Sequence, residues 1–208
     1  MKMRVKICGI TTLEDALVAC DAGADALGFN FAEEAKPKFR YVSPQVAADI
    51  VSKLPPFVTT VAVTVNESVD TLKRYLEFVD FVQLHGEESP ATCAAVAKKC
   101  IKAFRVTPGF DPYSMLDYPA AAYLLDASIP GQRGGTGAIC DWDAARRAVA
   151  MGKSIVLAGG LNAHNVADAI AAVHPQAVDT ASGVESAPGK KDHEQIRNFI
   201  RNAKARLS

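Results

Sequence analysis

The chain has 208 residues, of which 49% are apolar, with 23 basic and 23 acidic side chains. This length suits one large domain or two small ones, and the apolar content is ample for a buried core. Proteins that bind the phosphate backbone of a nucleic acid carry a basic surface. The charges here balance, and no Lys- or Arg-rich run lies outside the C-terminal helix, so a nucleic-acid partner is not expected. No apolar stretch approaches membrane-spanning length, so no membrane partner is expected either.

The cysteines indicate a reducing compartment. Five are scattered along the chain, with no Cys-x-x-Cys and no nearby His at a ligand spacing. Neither a disulfide framework nor a metal site is therefore indicated. The first residues run into Ile7-Cys-Gly without a leader-type apolar core. We expect a cytoplasmic protein.

Apolar periodicity predicts strands that alternate with helices along the whole chain. The predicted strands cover residues 4–8, 26–31, 57–65, 81–84, 101–106, 121–126, 154–157 and 177–180. Helix starts are predicted at Thr12, Ser43-Pro44, Asn66-Glu67, Ser89-Pro90, Asp141 and Asn162, with a weak helix at 113–116 and a last one after Asp192. Two of these starts pair a capping residue with a proline at the first helical position.

The alternation predicts an α/β fold with a parallel sheet, because βα units recur at a spacing of roughly 25 residues. No linker or composition shift divides the chain, so residues 1–208 are expected to form one domain. Eight βα units close most economically as a (β/α)8 TIM barrel. An open doubly wound sheet is the alternative, but the chain lacks Gly-x-Gly-x-x-Gly after its first strand.

Active sites of such barrels lie at the carboxyl ends of the strands. Polar residues and glycines occupy these ends in six predicted strands, at Cys8, Asn30, Gln83 with His85, Asp126, Gly159-Gly160 and Ser182-Gly183. Their shared placement predicts a single site at one mouth of the barrel. A metal is not expected beside His85, because no second His lies near it.

Cys8 is a candidate base or nucleophile. A free cysteine is most often a small buried apolar side chain, and we assign the other four cysteines to packing. Alternation along the first strand, however, places Lys6 on the same face as Cys8. A nearby cation lowers the pKa of a thiol, so a reactive thiolate is predicted.

Asp126 is a candidate general acid. An acid after a strand is often a helix cap or a loop residue, but the next predicted helix begins only near Asp141. A general acid needs a carboxyl whose pKa is raised by apolar surroundings, which Leu124 and Leu125 would supply. The glycine-rich loop 131–137 follows and is typical of a small-ligand site.

The two glycine pairs indicate a phosphate site. Glycine lets backbone N–H groups approach an anion closely, and barrels frequently bind phosphate at the loops after strands seven and eight. Ordinary tight turns are the alternative. Arg40 could hold a carboxylate with two hydrogen bonds, whereas Lys36 and Lys38 are expected to be solvated. His85 could be a ligand, a proton carrier or a hydrogen-bonding side chain.

Nine stretches, in order and over nearly the whole chain, resemble the phosphoribosylanthranilate isomerase family of tryptophan biosynthesis. They are Lys6-Ile-Cys-Gly-Ile, Ala26-Leu-Gly-Phe-Asn-Phe, Arg40-Tyr-Val-Ser-Pro, Gln83-Leu-His-Gly, Leu125-Asp, Gly134-Gly-Thr-Gly, Leu157-Ala-Gly-Gly-Leu, Asp179-Thr-Ala-Ser-Gly-Val-Glu and Pro188-Gly-x-Lys-Asp. The Lys-Ile-Cys-Gly and Ser-Gly-Val-Glu stretches are the most specific.

The resemblance implies a (β/α)8 barrel that catalyses a cofactor-independent Amadori rearrangement of N-(5-phosphoribosyl)anthranilate. It implies that Asp126 is the general acid and Cys8 the general base. Arg40 would lie near the anthranilate carboxylate, with Asn30, Gln83 and His85 in the pocket. The phosphate would lie at Gly159, Gly160, Ser182 and Gly183. Members of the family occur as monomers and as homodimers.

Two departures from the family pattern concern the second and third strands. The loop 32–39 lacks the Ser-Pro that commonly precedes the arginine, and Thr64 replaces a usual aromatic, which we attribute to packing.

Two other functions remain open: a histidine-pathway phosphosugar isomerase, which typically has Asp where this chain has Cys8, and a non-catalytic phosphate-binding barrel. The second would not need both Cys8 and Asp126.

Overall fold

The computed structural model describes residues 3–107, 109–127 and 141–205. Eight parallel strands form a closed barrel in chain order, and β8 pairs with β1. The strands are β1 Arg4–Cys8, β2 Ala26–Asn30, β3 Thr59–Thr64, β4 Phe81–Leu84, β5 Cys100–Val106, β6 Ala122–Ala127, β7 Ile155–Leu157 and β8 Ala177–Thr180. The predicted fold class is therefore confirmed.

Seven α-helices alternate with these strands in the described part of the chain. They are α1 Leu13–Asp21, α2 Pro44–Val51, α3 Val69–Tyr75, α4 Pro90–Ala95, α5 Trp142–Ala150, α6 Val166–Val173 and α7 His193–Lys204. Short 3-10 helices lie at Glu33–Lys38, Ala97–Lys99, Pro112–Asp117 and Ser182–Val184. None of the described helices is long and apolar enough to cross a bilayer.

Local sequence signals fix most helix starts. The Ser43 side chain accepts a hydrogen bond from Val46 N, and the Ser89 side chain accepts one from Thr92 N, each with a proline at the next position. Asp141 and Asp192 cap α5 and α7 in the same way. Each cap satisfies a backbone N–H that has no partner within the helix.

Three predicted element boundaries were wrong by two residues or more, and the others agree to within one residue. The third strand begins at Thr59 because Phe57 has φ 72°, which a strand does not allow. The third helix is capped by Ser68, not by Asn66, whose φ of 56° is left-handed. Asn162 does not cap α6: its side chain accepts a hydrogen bond from His164 N in the turn before the helix.

A two-stranded antiparallel hairpin follows β8 and was not predicted. Its strands are β9 Glu185–Ala187 and β10 Lys190–Lys191. Gly189, with φ 74°, lies in the turn and packs against the backbone of Phe39. The hairpin therefore contacts the loop after β2, which carries Arg40.

Apolar side chains fill two layers. A small cluster lies inside the barrel and includes Val61, Ile101 and Leu124. A much larger cluster lies between the strands and the surrounding helices. Thr64 belongs to the outer face: it is fully buried and its hydroxyl donates to Gln83 O at 3.4 Å. Its contacts are those of a packing residue.

Candidate active site

One pocket opens at the carboxyl ends of the strands, where the sequence predicts a site. Nine of the ten predicted site residues line it: Cys8, Asn30, Arg40, Gln83, His85, Asp126, Gly159, Gly160 and Ser182. Gly183 is not among the lining residues. A side chain at this position would collide with the backbone carbonyl oxygen of Leu161, so its glycine serves the packing of neighbouring loops. The loop 131–137 lies outside the described residues.

Cys8 lies at the end of β1, beside Lys6 and over Gly28 of β2. Lys6 Nζ donates to Asp179 Oδ1 at 2.9 Å, and both side chains are buried. Gly28 leaves room for this arrangement, because a Cβ there would lie 2.8 Å from Cys8 Sγ and 3.1 Å from Lys6 Nζ. The predicted proximity of Lys6 and Cys8 is therefore present.

The pKa of the Cys8 thiol is shifted in the direction opposite to the prediction. Burial raises the pKa of the Cys8 thiol, and the Asp179 carboxylate raises it further. Lys6 and Lys191 lower it, but the pKa remains above the usual thiol value. The predicted effect of Lys6 has the right sign and is outweighed, because a thiolate loses more solvation in this buried position than the two cations restore.

Asp126 lies at the end of β6 and faces His85. Its Oδ2 is 3.4 Å from His85 Nε2, and both side chains are largely buried. On the other side of the ring, Gln83 Nε2 lies 3.0 Å from His85 Nδ1. If the amide is the donor in this contact, Nδ1 accepts, and the ring proton is on Nε2, towards Asp126.

Two buried polar atoms of this group lack a hydrogen bond. They are Gln83 Oε1 and His85 Nε2. The 3.4 Å approach of Nε2 to Asp126 meets the distance of an ion pair but not the geometry of a hydrogen bond, so we regard Nε2 as unsatisfied. Buried polar atoms normally have a partner. These two are therefore available to a polar group of a ligand.

Arg40 binds Glu185, a residue for which the sequence predicted no role. Arg40 Nε and Nη2 donate to the Glu185 carboxylate at 2.7 to 3.1 Å. Lys191 Nζ also donates to Glu185, at 2.9 Å, and to Ala181 O. Burial tends to raise the pKa of Glu185, but Arg40 and Lys191 outweigh it, so this pKa lies below the usual value. Glu185 thus binds two cations, of which Arg40 lines the pocket.

The loop after β7 has a left-handed backbone at two successive residues, Gly159 and Gly160. Gly159 and Gly160 have φ of 85° and 64°, which favour glycine over other residues. Asn165 Nδ2 donates to Gly160 O at 3.0 Å and fixes the turn. Thr180 Oγ1 donates to Leu161 O at 2.7 Å and ties this loop to the end of β8. The two predicted phosphate loops are thereby adjacent.

Asn30 contributes to the pocket wall through its loop. Its Oδ1 accepts a hydrogen bond from Ala32 N at 3.0 Å.

The predicted exposure of Lys38 was wrong. This side chain is partly buried and lines the pocket, and the loss of solvation lowers its pKa. The prediction failed because the 3-10 helix Glu33–Lys38 folds over the pocket.

Asp179 also lines the pocket, and the sequence interpretation gave it no role. Its position at the end of β8, on the face opposite Val178, was a usable signal. Within the described residues, no group of three or more His, Cys, Asp or Glu side chains could hold a metal ion.

The barrel and its pocket define an enzyme of the (β/α)8 class with acid, thiol and imidazole groups at the carboxyl mouth. Residues 5–202 match the family described as N-(5'phosphoribosyl)anthranilate (PRA) isomerase. The chain is 53% identical to the N-(5'-phosphoribosyl)anthranilate isomerase of Citrifermentans bemidjiense over 203 aligned residues. The aligned region covers 97% of each chain. The chain belongs to this family of isomerases.

Solved structures agree with this assignment. The phosphoribosyl anthranilate isomerase of Thermotoga maritima is 44% identical, with a TM-score of 0.88 over 97% of this chain and 98% of that one. A second structure, 42% identical with a TM-score of 0.83 over 97% and 98% of the chains, is a complex with reduced 1-(o-carboxyphenylamino)-1-deoxyribulose 5-phosphate. A third, 41% identical with a TM-score of 0.84 over 98% and 99%, concerns monomers generated from the dimeric Thermotoga maritima enzyme.

Proposed function

We propose that this chain rearranges N-(5'-phosphoribosyl)anthranilate to 1-(2-carboxyphenylamino)-1-deoxyribulose 5-phosphate in tryptophan biosynthesis, with Asp126 as general acid and Cys8 as general base. The observation that carries the assignment of roles is that Cys8 and Asp126 line one pocket together with the glycine loop after β7. An aldose-to-ketose rearrangement needs one group to donate a proton and another to remove one.

The first step opens the ribose ring. The Asp126 carboxyl donates its proton to the ring oxygen as the C1–O bond breaks, and the anthranilate nitrogen supplies the electron pair that forms an iminium. The carboxyl must be protonated for this step. His85 Nε2 lies 3.4 Å from Asp126 Oδ2, so the imidazole contacts this carboxyl from one side.

The second step removes the C2 proton. The Cys8 thiolate takes this proton, and the electrons of the C–H bond neutralise the iminium to give an enol, which tautomerises to the ketone. Lys6 and Lys191 both favour the thiolate electrostatically. The positive charge of the iminium adds to this effect, so the base is most strongly stabilised when the substrate is in the reactive form.

The remaining residues bind the two charged ends of the substrate. Gly159, Gly160 and Ser182 hold the phosphate through their loops, and Gly183, which does not line the pocket, lets these loops pack closely. Arg40 meets the anthranilate carboxylate with the edge of its guanidinium that is not turned towards Glu185. Asn30, Gln83 and His85 form the wall between the two ends. The reaction consists of proton transfers and the opening of one C–O bond, and we propose that it uses no cofactor or metal.

We further propose that residues 1–208 form one barrel domain that works in the cytoplasm as a monomer or a homodimer. Its partner is the small phosphoribosyl substrate, with neither nucleic acid nor membrane involved. Size-exclusion chromatography with light scattering measures the oligomeric state directly.

The test adds purified protein to N-(5'-phosphoribosyl)anthranilate and follows the loss of this substrate by its fluorescence. Wild-type protein is expected to consume the substrate, and Cys8→Ser and Asp126→Asn each to lower kcat by about 10³-fold or more, since each removes a proton-transfer group. Circular dichroism confirms that each variant is folded. Near-wild-type turnover in either variant would contradict the assigned roles.

A further inference from the structure

A buried ion pair between Lys102 and Glu88 binds the loop after β4, and the proposed mechanism does not use it. Lys102 of β5 and Glu88 are 3% and 2% exposed in their side chains, and Lys102 Nζ lies 2.7 Å from Glu88 Oε2. Lys102 neighbours Leu84 across the β4–β5 pairing. The pair therefore lies directly next to the segment that carries His85.

Lys102 holds the backbone on both sides of His85. Its Nζ donates to Leu84 O at 3.3 Å and to Gly86 O at 2.7 Å, as well as to Glu88. An ammonium group has three N–H donors, so all of them are used within this loop. The residues before and after His85 are thus tied to one buried cation.

Glu88 completes the arrangement from the acceptor side. Its carboxylate accepts hydrogen bonds from Gly86 N at 3.0 and 3.1 Å, and from Asn66 N at 2.8 Å. Gly86 is required at this position because a side chain would collide with Asn66. The loops after β3 and β4 are therefore joined through one carboxylate.

We infer that the buried Lys102–Glu88 pair is a positioning device that holds His85 against Asp126. This inference rests on the proposed function, in which Asp126 is the general acid. An isolated apolar pair would fill the same space at lower cost of desolvation, but it could not bind two carbonyl groups and two N–H groups. What the pair adds is a fixed backbone on either side of His85.

The chain provides a matched control at the opposite end of the barrel. Lys204 Nζ donates to Gly23 O and lies near Asp25 Oδ2, each at 2.6 Å. This group also joins one lysine, one carbonyl and one carboxylate, but it lies at the amino ends of the strands. Its loss affects the fold without touching the pocket.

The experiment compares Lys102→Met with Lys204→Met by steady-state kinetics and by ¹⁵N chemical shifts of the His85 imidazole, which report the tautomer. The His85 signals are identified by their absence in His85→Gln. We expect Lys102→Met to lower kcat about tenfold or more with KM changed less than about threefold, and to convert a single His85 tautomer into a mixture. Lys204→Met is expected to keep kcat and the His85 shifts.

Lys102→Met leaves the Glu88 carboxylate buried without its cation, so Glu88→Gln is measured as well, because it preserves size and an oxygen acceptor. It is expected to change the His85 shifts in the same direction. The inference is overturned if a folded variant of the pair loses thermal stability but retains wild-type kcat and wild-type His85 shifts. Inactive wild-type protein would contradict the proposed function, whereas the chemical shifts would still test the positioning of His85.

Discussion

The position of Cys8 depends on a residue without a side chain, Gly28 on the adjacent strand. The space above Gly28 is occupied by Cys8 Sγ and the end of Lys6. A thiol on a strand has only one rotatable bond with which to avoid a new neighbour, so it cannot move away without leaving the pocket. The glycine therefore leaves the space that Cys8, the residue we propose as general base, occupies.

Gly28→Ala is expected to lower kcat by about 10²-fold, because the new Cβ would lie 2.8 Å from Cys8 Sγ and displace the base. The measurement is kcat in the fluorescence assay, alongside the melting temperature. Gly109→Ala is the control for a glycine with no atom near its Cβ position, although its φ of 85° costs some stability. Unchanged kcat in folded Gly28→Ala would show that Cys8 does not need this space.

The pKa of Cys8 sets a direction for the pH dependence. Burial raises this pKa above 9.0, the usual thiol value, so only a small fraction is thiolate at pH 7. That fraction rises about tenfold per pH unit below the pKa, and the titration midpoint of Cys8 is expected to lie above 9.0. The thiolate absorbance near 240 nm, taken as wild type minus Cys8→Ser, measures the midpoint. A midpoint below the usual value would contradict the expected direction.

At the scale of elements, the hairpin of β9 and β10 connects the end of β8 to the loop after β2. It brings Glu185 and Lys191 from the end of β8 to Arg40 on the loop after β2. The bidentate contact fixes the plane of the guanidinium. The hairpin therefore orients the residue that we propose for the substrate carboxylate.

Glu185→Gln is expected to raise KM about tenfold with a smaller change in kcat, because Arg40 would lose the charge that orients it while the proton-transfer groups stay in place. Stability should also fall, since Lys191 is buried and would lose its counter-charge. The matched control is Glu87→Gln, which weakens a more exposed Arg–Glu contact, Arg105 Nη2 to Glu87 Oε1 at 3.2 Å. A fall in kcat at unchanged KM would contradict the orienting role.

At the scale of the whole molecule, the outer apolar layer links the helices to the closed barrel. Leu72 on α3 is fully buried in this layer, whereas Leu116 is 48% exposed. Leu72→Ala should lower the free energy of unfolding by about 2–5 kcal/mol, and Leu116→Ala by about 0.5 kcal/mol or less. Urea unfolding followed by circular dichroism measures both. Equal effects would show that the helical layer is not packed as described.

The sequence by itself determined the alternation of strands and helices, and through it the barrel. These signals are local: side chains two apart share a strand face, and serine or aspartate caps the helix that follows it. The same locality placed Cys8 and Asp126 at strand ends, and so at one mouth. It also explains the boundary errors, since the left-handed backbone at Phe57 and Asn66 is a property of single turns.

Only the tertiary structure decided how the site residues are paired and charged. Lys6 meets Asp179, 173 residues away, and Arg40 meets Glu185, 145 residues away. No local pattern contains such contacts, because they arise when the barrel closes and the hairpin folds back. The pKa of Cys8 depends on the same closure: the sequence showed the neighbouring cation, but the burial that outweighs it comes from strands distant in the chain.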